Sequence, residues 1–273
     1  MKKGVIVALS LLVVGLGGYI VYDKCLNKTE NTKTEEKKDE VVSLDVESPT
    51  VKELYNKIDV FSIDYQGDKT FKDEYYGYFY RNDKILASDI SDSLKAMMAI
   101  KQLSSYEVEH GTYPSSYTTI NSSYVKNEVQ NIFGKVSFQN ANTPKYQCEQ
   151  GYVYDASNDY YRMEAAGCGK VCGEFNHEIS TTIVKAETVN DNVLNIYVKP
   201  QFYSLDGECG DDDYVKSSYL EKIYSDFNMT NLVATLNYDS QDDKSYMNKL
   251  DTYKFSFEKN GVDYYFKSVE KVK

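Results

Sequence analysis

Val5–Tyr22, VIVALSLLVVGLGGYIVY, is eighteen residues without a charge, and it decides what the rest of the chain can be. At about 1.5 Å of rise per residue such a helix is roughly 27 Å long, close to one hydrocarbon thickness. A helix satisfies its own backbone groups, which lipid cannot do, so the run is able to span a bilayer. Lys2 and Lys3 precede it. Positive flanks stay on the cytoplasmic side, which predicts residues 1–4 inside and Asp23 onward outside. A cleaved signal peptide shares the basic start and apolar middle, but its third part is poor here. Gly15 and Gly17 are the only small-x-small pair near the end, and the chain stays apolar to Tyr22. Residues 5–22 therefore read as an uncleaved transmembrane signal anchor. Cys25 follows Tyr22-Asp23-Lys24 rather than the small apolar residues of a lipoprotein signal.

The next stretch, residues 23–48, is rich in Lys, Glu, Asp, Asn and Thr and almost lacks large apolar residues before Val41. It cannot bury enough surface to offset the entropy of ordering it, so a flexible tether is expected, with a reach on the order of 28 Å. Residues 49–273 then form an extracytoplasmic domain, long enough for a sizeable core. The net charge of -11 leaves no basic surface for phosphates, which argues against nucleic acid as a partner. The predicted partners are the membrane, through the N-terminal helix, and an envelope protein or wall component. Tyrosine is abundant (27), tryptophan absent, and lysine far outnumbers arginine. That bias fits a low-GC bacterial genome, and the tyrosines are not taken as a ligand platform.

Secondary-structure signals are uneven. Thr50 and Glu53 have capping-box spacing ahead of Leu54 and Ile58, predicting a short helix. Between Val60 and Tyr80 aromatic residues alternate irregularly, as in a strand or extended loop. Ser88 or Asp89 is expected to open a helix whose face carries Ile90, Leu94, Met97, Met98 and Leu103. Ser122 or Ser123 is expected to cap the clearest helix, with the stripe Val125, Val129, Ile132, Phe133 and a terminal Gly134. Beyond Gly134 the period becomes two. Val136 with Phe138, Tyr152 with Tyr154, 179–189, 193–203, and a hairpin around Asn260-Gly261 read as strands. Asn190-Asp191-Asn192 predicts a hairpin turn, and 214–236 is ambiguous. Helices followed by antiparallel strands is the order of an α+β domain. That order is similar to the NTF2-like and cystatin-like cone folds.

Chemistry-bearing residues are sparse. Apart from Cys25, the cysteines are Cys148, Cys168, Cys172 and Cys209. Outside the cytoplasm these four are candidate disulfide partners in any of three connectivities. Free thiols and a four-thiolate zinc remain alternatives, though only Cys168 and Cys172 have close ligand spacing. The loop DGECGDDDY (Asp206, Glu208, Asp211, Asp212, Asp213) departs from the calcium-loop pattern and reads as a solvated surface. His110 and His177 are the only histidines, without a partner at metal spacing. No nucleophile elbow, phosphate loop or dinucleotide fingerprint occurs. No cofactor and no catalytic residue is assigned.

The segment SLKAMMAIKQLSSYEVEHGTYPSS resembles the region of type IV pilins and pseudopilins where a helix ends at a G-x-Y-P turn. In that family the helix continues from a membrane segment bearing a glutamate behind a prepilin site. Here the membrane segment has no glutamate, no such site precedes it, and a charged tether intervenes, so the match is read as coincidence. The expectation is a non-enzymatic, single-pass surface protein that binds a partner. The alternatives are an envelope hydrolase using scattered carboxylates and a structural or stress-related domain without a ligand.

Overall fold

This computed structural model describes residues 39–60, 75–103, 108–110, 118–145, 151–164, 176–206, 220–237 and 243–272. The apolar run, most of the tether and all five cysteines lie outside the described residues. Among those described, no helix is long and apolar enough to cross a membrane. Residues from Glu40 to Lys273 form one compact unit.

The longest strands dictate its frame. Residues 176–206 alternate polar and apolar side chains on either side of Asn190-Asp191-Asn192, and they form β7 (Asn176–Val189) and β8 (Val193–Asp206) of one hairpin. Asn190 and Asp191 take positive φ values of 52° and 56°, a conformation that Asn and Asp tolerate better than other residues with a side chain. The second long hairpin is β11 (Thr252–Asn260) with β12 (Asp263–Val272). Asn260-Gly261 does not fill the two central positions of a type I′ turn, the usual role of an Asn-Gly pair in a hairpin. Asn260 and Asp263 close the loop, and only Gly261, at the first central position, has positive φ (70°). That is the pattern of a type II′ turn, set by glycine alone.

The main sheet has the order β1-β7-β8-β11-β12-β2, where β1 is Val41–Leu44 and β2 is Lys84–Leu86. All pairings between described strands are antiparallel. β8 divides its far edge between two neighbours. Val193–Val198 pairs with β11, whereas Phe202–Asp206 pairs with β9 (Leu220–Tyr224), which in turn pairs with β10 (Leu232–Asn237). Pro200, which has no N–H to donate, stands in the gap between the two ladders. A smaller sheet has the order β3 (Val108–His110), β4 (Thr118–Asn121), β6 (Tyr160–Glu164), β5 (Gly151–Asp155).

Three α-helices are found among the described residues: α1 (Pro49–Asn56), α2 (Asp92–Gln102) and α3 (Ser122–Phe133). Their starts correct the expected caps. α1 begins at Pro49 after Ser48, with no side-chain cap and hence no Thr50–Glu53 box. Ser91, not Ser88 or Asp89, caps α2 by accepting from the Leu94 N–H, because the Asp89 carboxylate accepts from Leu86 N–H in the preceding turn. Asn121, not Ser122 or Ser123, caps α3. Val136 and Phe138 belong to no strand. Their segment instead ties to side chains, with Gln139 N–H donating to Asp92 Oδ2 and Ala141 N–H to the Tyr161 hydroxyl. β1 lies inside the stretch whose composition suggests a tether, so strand pairing starts before Pro49. The irregular aromatics before Tyr80 end in a short 3₁₀ turn, Tyr78–Tyr80.

The chain is α+β, with short strands β1 to β4 interleaved among the helices rather than following them. One face of the main sheet and all three helices share a single core cluster. Aromatic rings dominate it in edge-to-face contacts: Phe79 against Phe255 and Phe266 (both 5.6 Å), Tyr80 against Tyr253 (5.1 Å), Phe133 against Phe266 (6.1 Å). A second, smaller cluster occupies the opposite face of the β8–β9–β10 arm, since Phe202 joins the first cluster and its neighbour Tyr203 the second. There Gln201 accepts from the hydroxyls of Tyr203 (2.6 Å) and Tyr246 (2.7 Å) and donates to Thr182 (3.1 Å).

Candidate functional site

The site is built by a bulge. In β12 the register shifts between Ser256↔Ser268 and Phe257↔Phe266, which leaves Lys267 without a partner on β11. An extra residue re-aims side chains, so Phe266 and Val269, three apart, both point into the core. The Lys267 carbonyl accepts from Ala87 N–H at 2.8 Å, which holds the chain after β2 against the bulge. Facing it, α3 stops at Gly134, whose φ of 73° and ψ of -151° lie in a region essentially restricted to glycine. The chain continues as Val136 and Ser137 toward the start of α2, where Gln139 N–H meets Asp92.

These features line a half-open cleft of about 470 Å³, within the size range of small-molecule sites. Its apolar lining is Leu86, Phe133, Val136 and Phe266; its polar lining is Ser88, Ser137 and two lysines, Lys95 and Lys267. Phe133 and Phe266 are buried, whereas Leu86, Ser88, Ser137 and Lys267 are exposed and form the mouth. Among the described residues no carboxylate, histidine or cysteine lines it.

Lys95 is the unusual member. Every residue of α2 from Leu94 to Ile100 is buried, and Lys95 is only 5% exposed. Taking an ammonium out of water is costly unless it finds partners. Its Nζ donates to the Ile90 carbonyl at 2.7 Å, lies 3.9 Å from Asp92 Oδ1, and is 5.9 Å from the centre of the Phe133 ring. An ammonium has three N–H donors, and 3.9 Å is too long for a hydrogen bond. Two donors thus lack a hydrogen bond among the described residues. The Asp92 carboxylate is itself engaged by Gln139 N–H at 3.1 Å. Lys267 pairs with Glu258 at 2.8 Å on the exposed side of the hairpin.

A second polar cluster covers the outer face of the main sheet and is internally satisfied. Glu187 is 7% exposed and accepts from the Tyr197 hydroxyl (2.6 Å) and from Lys185 (2.6 Å). Burial alone raises a carboxyl, but the bonds from Lys185, Tyr197 and Asn195 and the Lys185 charge outweigh it, holding Glu187 below the usual range. Burial, and then the bond to Glu187, push Tyr197 up to about 12. Glu270 is likewise lowered, first by its hydrogen bond from Lys254, with Lys84 adding charge.

The residues singled out from sequence fall elsewhere. Cys148, Cys168, Cys172 and Cys209 lie outside the described residues, as does the acidic loop beyond Asp206. His110 is in β3 opposite Thr118, and His177 in β7 opposite Ser204. Among the described residues no group of three or more His, Cys, Asp or Glu is placed to hold a metal ion. Sequence reasoning missed Lys95 and Lys267. The available signal was a lone cation within the apolar run Leu94–Ile100. Comparison with protein-family models, curated proteins and solved structures finds no match to this chain.

Proposed function

We propose that this chain is a single-pass, membrane-anchored binding protein of the bacterial envelope, with residues 5–22 in the membrane and the folded unit outside the cytoplasm. The charge asymmetry around the apolar run supports that orientation. The tether, shortened at its end by β1, gives the unit reach from the bilayer. One observation carries the binding role: a preformed, half-open cleft with apolar walls and convergent polar groups. An envelope protein, a wall component or a small envelope molecule is the occupant class. The cone-like arrangement suggested by element order fits helices and one sheet face sharing a core beside a cavity.

The test uses the full chain in lipid nanodiscs, exposed to cell-envelope extract and washed, with bound species identified by mass spectrometry. Ser137→Trp, at the exposed mouth, serves as the blocked control. A species retained at micromolar concentration and lost in Ser137→Trp supports the role. Equal retention by both forms, or none, overturns it. A reporter active only outside the cytoplasm, fused after Lys273, checks orientation.

A further inference from the structure

Resting on the binding role just proposed, we infer that the cavity beside the β12 bulge selects a small anionic amphiphile: a carboxylate or phosphate monoester on a short apolar or aromatic body. Three observations lead there. The inner walls are aromatic and aliphatic, with Phe133 and Phe266 buried. The charged lining residues are both cations, in a chain whose net charge is -11. The inner cation, Lys95, is buried with two N–H donors not hydrogen-bonded among the described residues.

Structural duty alone does not explain Lys95. Its single close bond is to the Ile90 carbonyl just before the helix, and its flanking residues Leu94 and Ala96 are buried and apolar. Its partial neutraliser, Asp92, stands 3.9 Å away and outside the lining. An anion entering the cavity is therefore able to take the open donors of Lys95 in charge-assisted hydrogen bonds while its body covers the phenyl rings. Lys267, anchored by Glu258 at the mouth, adds charge at the entrance, and the hydroxyls of Ser88 and Ser137 offer further donors there.

Isothermal titration of the full chain in nanodiscs tests this, with empty nanodiscs as the blank. The probes are 4-phenylbutyrate, phenyl phosphate and the neutral 4-phenylbutanamide. The expected result is that at least one acid binds tenfold or more tightly than the amide. In Lys95→Met the acid-to-amide preference falls to within about twofold; Lys95→Arg retains it. Lys267→Met, an exposed position that leaves the core intact, is expected to weaken the acid severalfold. A tighter carboxylate or phosphate identifies the head group. Equal binding of acid and amide, preference surviving in Lys95→Met, or no binding of any probe at millimolar concentration overturns the inference. Should Lys95→Met not fold, an unchanged acid-to-amide ratio in Lys267→Met, together with no loss of that ratio at 0.5 M salt, overturns it equally. A neutral envelope species retained by the wild type and lost in Ser137→Trp would leave the binding role standing and the ligand class wrong.

Discussion

Individual residues carry unequal conformational loads, and three glycines separate the reasons. Gly261 has φ of 70° and nothing within 4 Å of where a Cβ would stand. Gly261→Ala therefore meets only the backbone penalty, about 1–2 kcal/mol. Gly134 combines its glycine-only backbone with a Cβ position 3.2 Å from Tyr265 Cγ. Gly134→Ala is expected to cost about 1–3 kcal/mol and to disturb the cavity wall. At Gly77 the added carbon would lie 2.4 Å from Phe227 Cε2, in the core, so Gly77→Ala is expected to be the worst of the three. Urea unfolding of the three variants, compared at constant m, checks the order. Gln201 tests polar burial: Gln201→Leu removes the acceptor shared by the Tyr203 and Tyr246 hydroxyls and the donor to Thr182, leaving those two hydroxyls only each other, and the expected loss is about 2–4 kcal/mol, at about 1–3 for each unsatisfied group. Replacing Tyr203 with Phe at the same time should recover part of it.

Among the elements, what sequence foretold was what depends on nearest neighbours. The stripe of α3, the two long hairpins and the turn at Asn190-Asp191 were legible because periodicity and turn chemistry are local. β1, β2 and β4 were not, since strands of three or four residues exist only through partners far along the chain, such as Val41 opposite Val189. The caps were misplaced for a related reason. Ser, Asn and Asp crowd each helix start, and tertiary bonds, such as that from Ser122 to Asp159 at 2.6 Å, decide which one remains to cap. Asn121→Ala should cost α3 about 1 kcal/mol while Ser123→Ala costs less, as thermal melts will show. The cavity was the least legible, because its described lining comes from β2, β12, α2, α3 and two loops. The bulge at Lys267 breaks the very alternation by which a strand is read.

For the whole molecule, pH provides a test of the outer-face charge ladder. Glu187 and Glu270 both titrate below the ordinary carboxylate range in the folded unit. Their contribution is complete above the unfolded value, about 4.3, and disappears as pH falls through the lower folded values. Melting temperature should therefore drop on acidification below about pH 4.3, and the double variant Glu187→Gln, Glu270→Gln should start lower and show a shallower drop. A double variant with the wild-type slope would show that other carboxylates dominate.

The divided edge of β8 has a consequence in time. Its partner β7 is adjacent in sequence, so that hairpin is able to close as soon as Asp206 has been made, but Val193–Val198 waits for Tyr253–Glu258 to complete its other side. Over the synthesis of roughly fifty intervening residues an apolar strand offers an open row of donors and acceptors, the situation in which chains pair with each other. A chain halted before Thr252 is expected to sediment as aggregate, and one halted after Val272 is not. Supplying Thr252–Val272 as a separate peptide during refolding should rescue the shorter chain, placing the last hairpin as the step that commits the molecule to its final form.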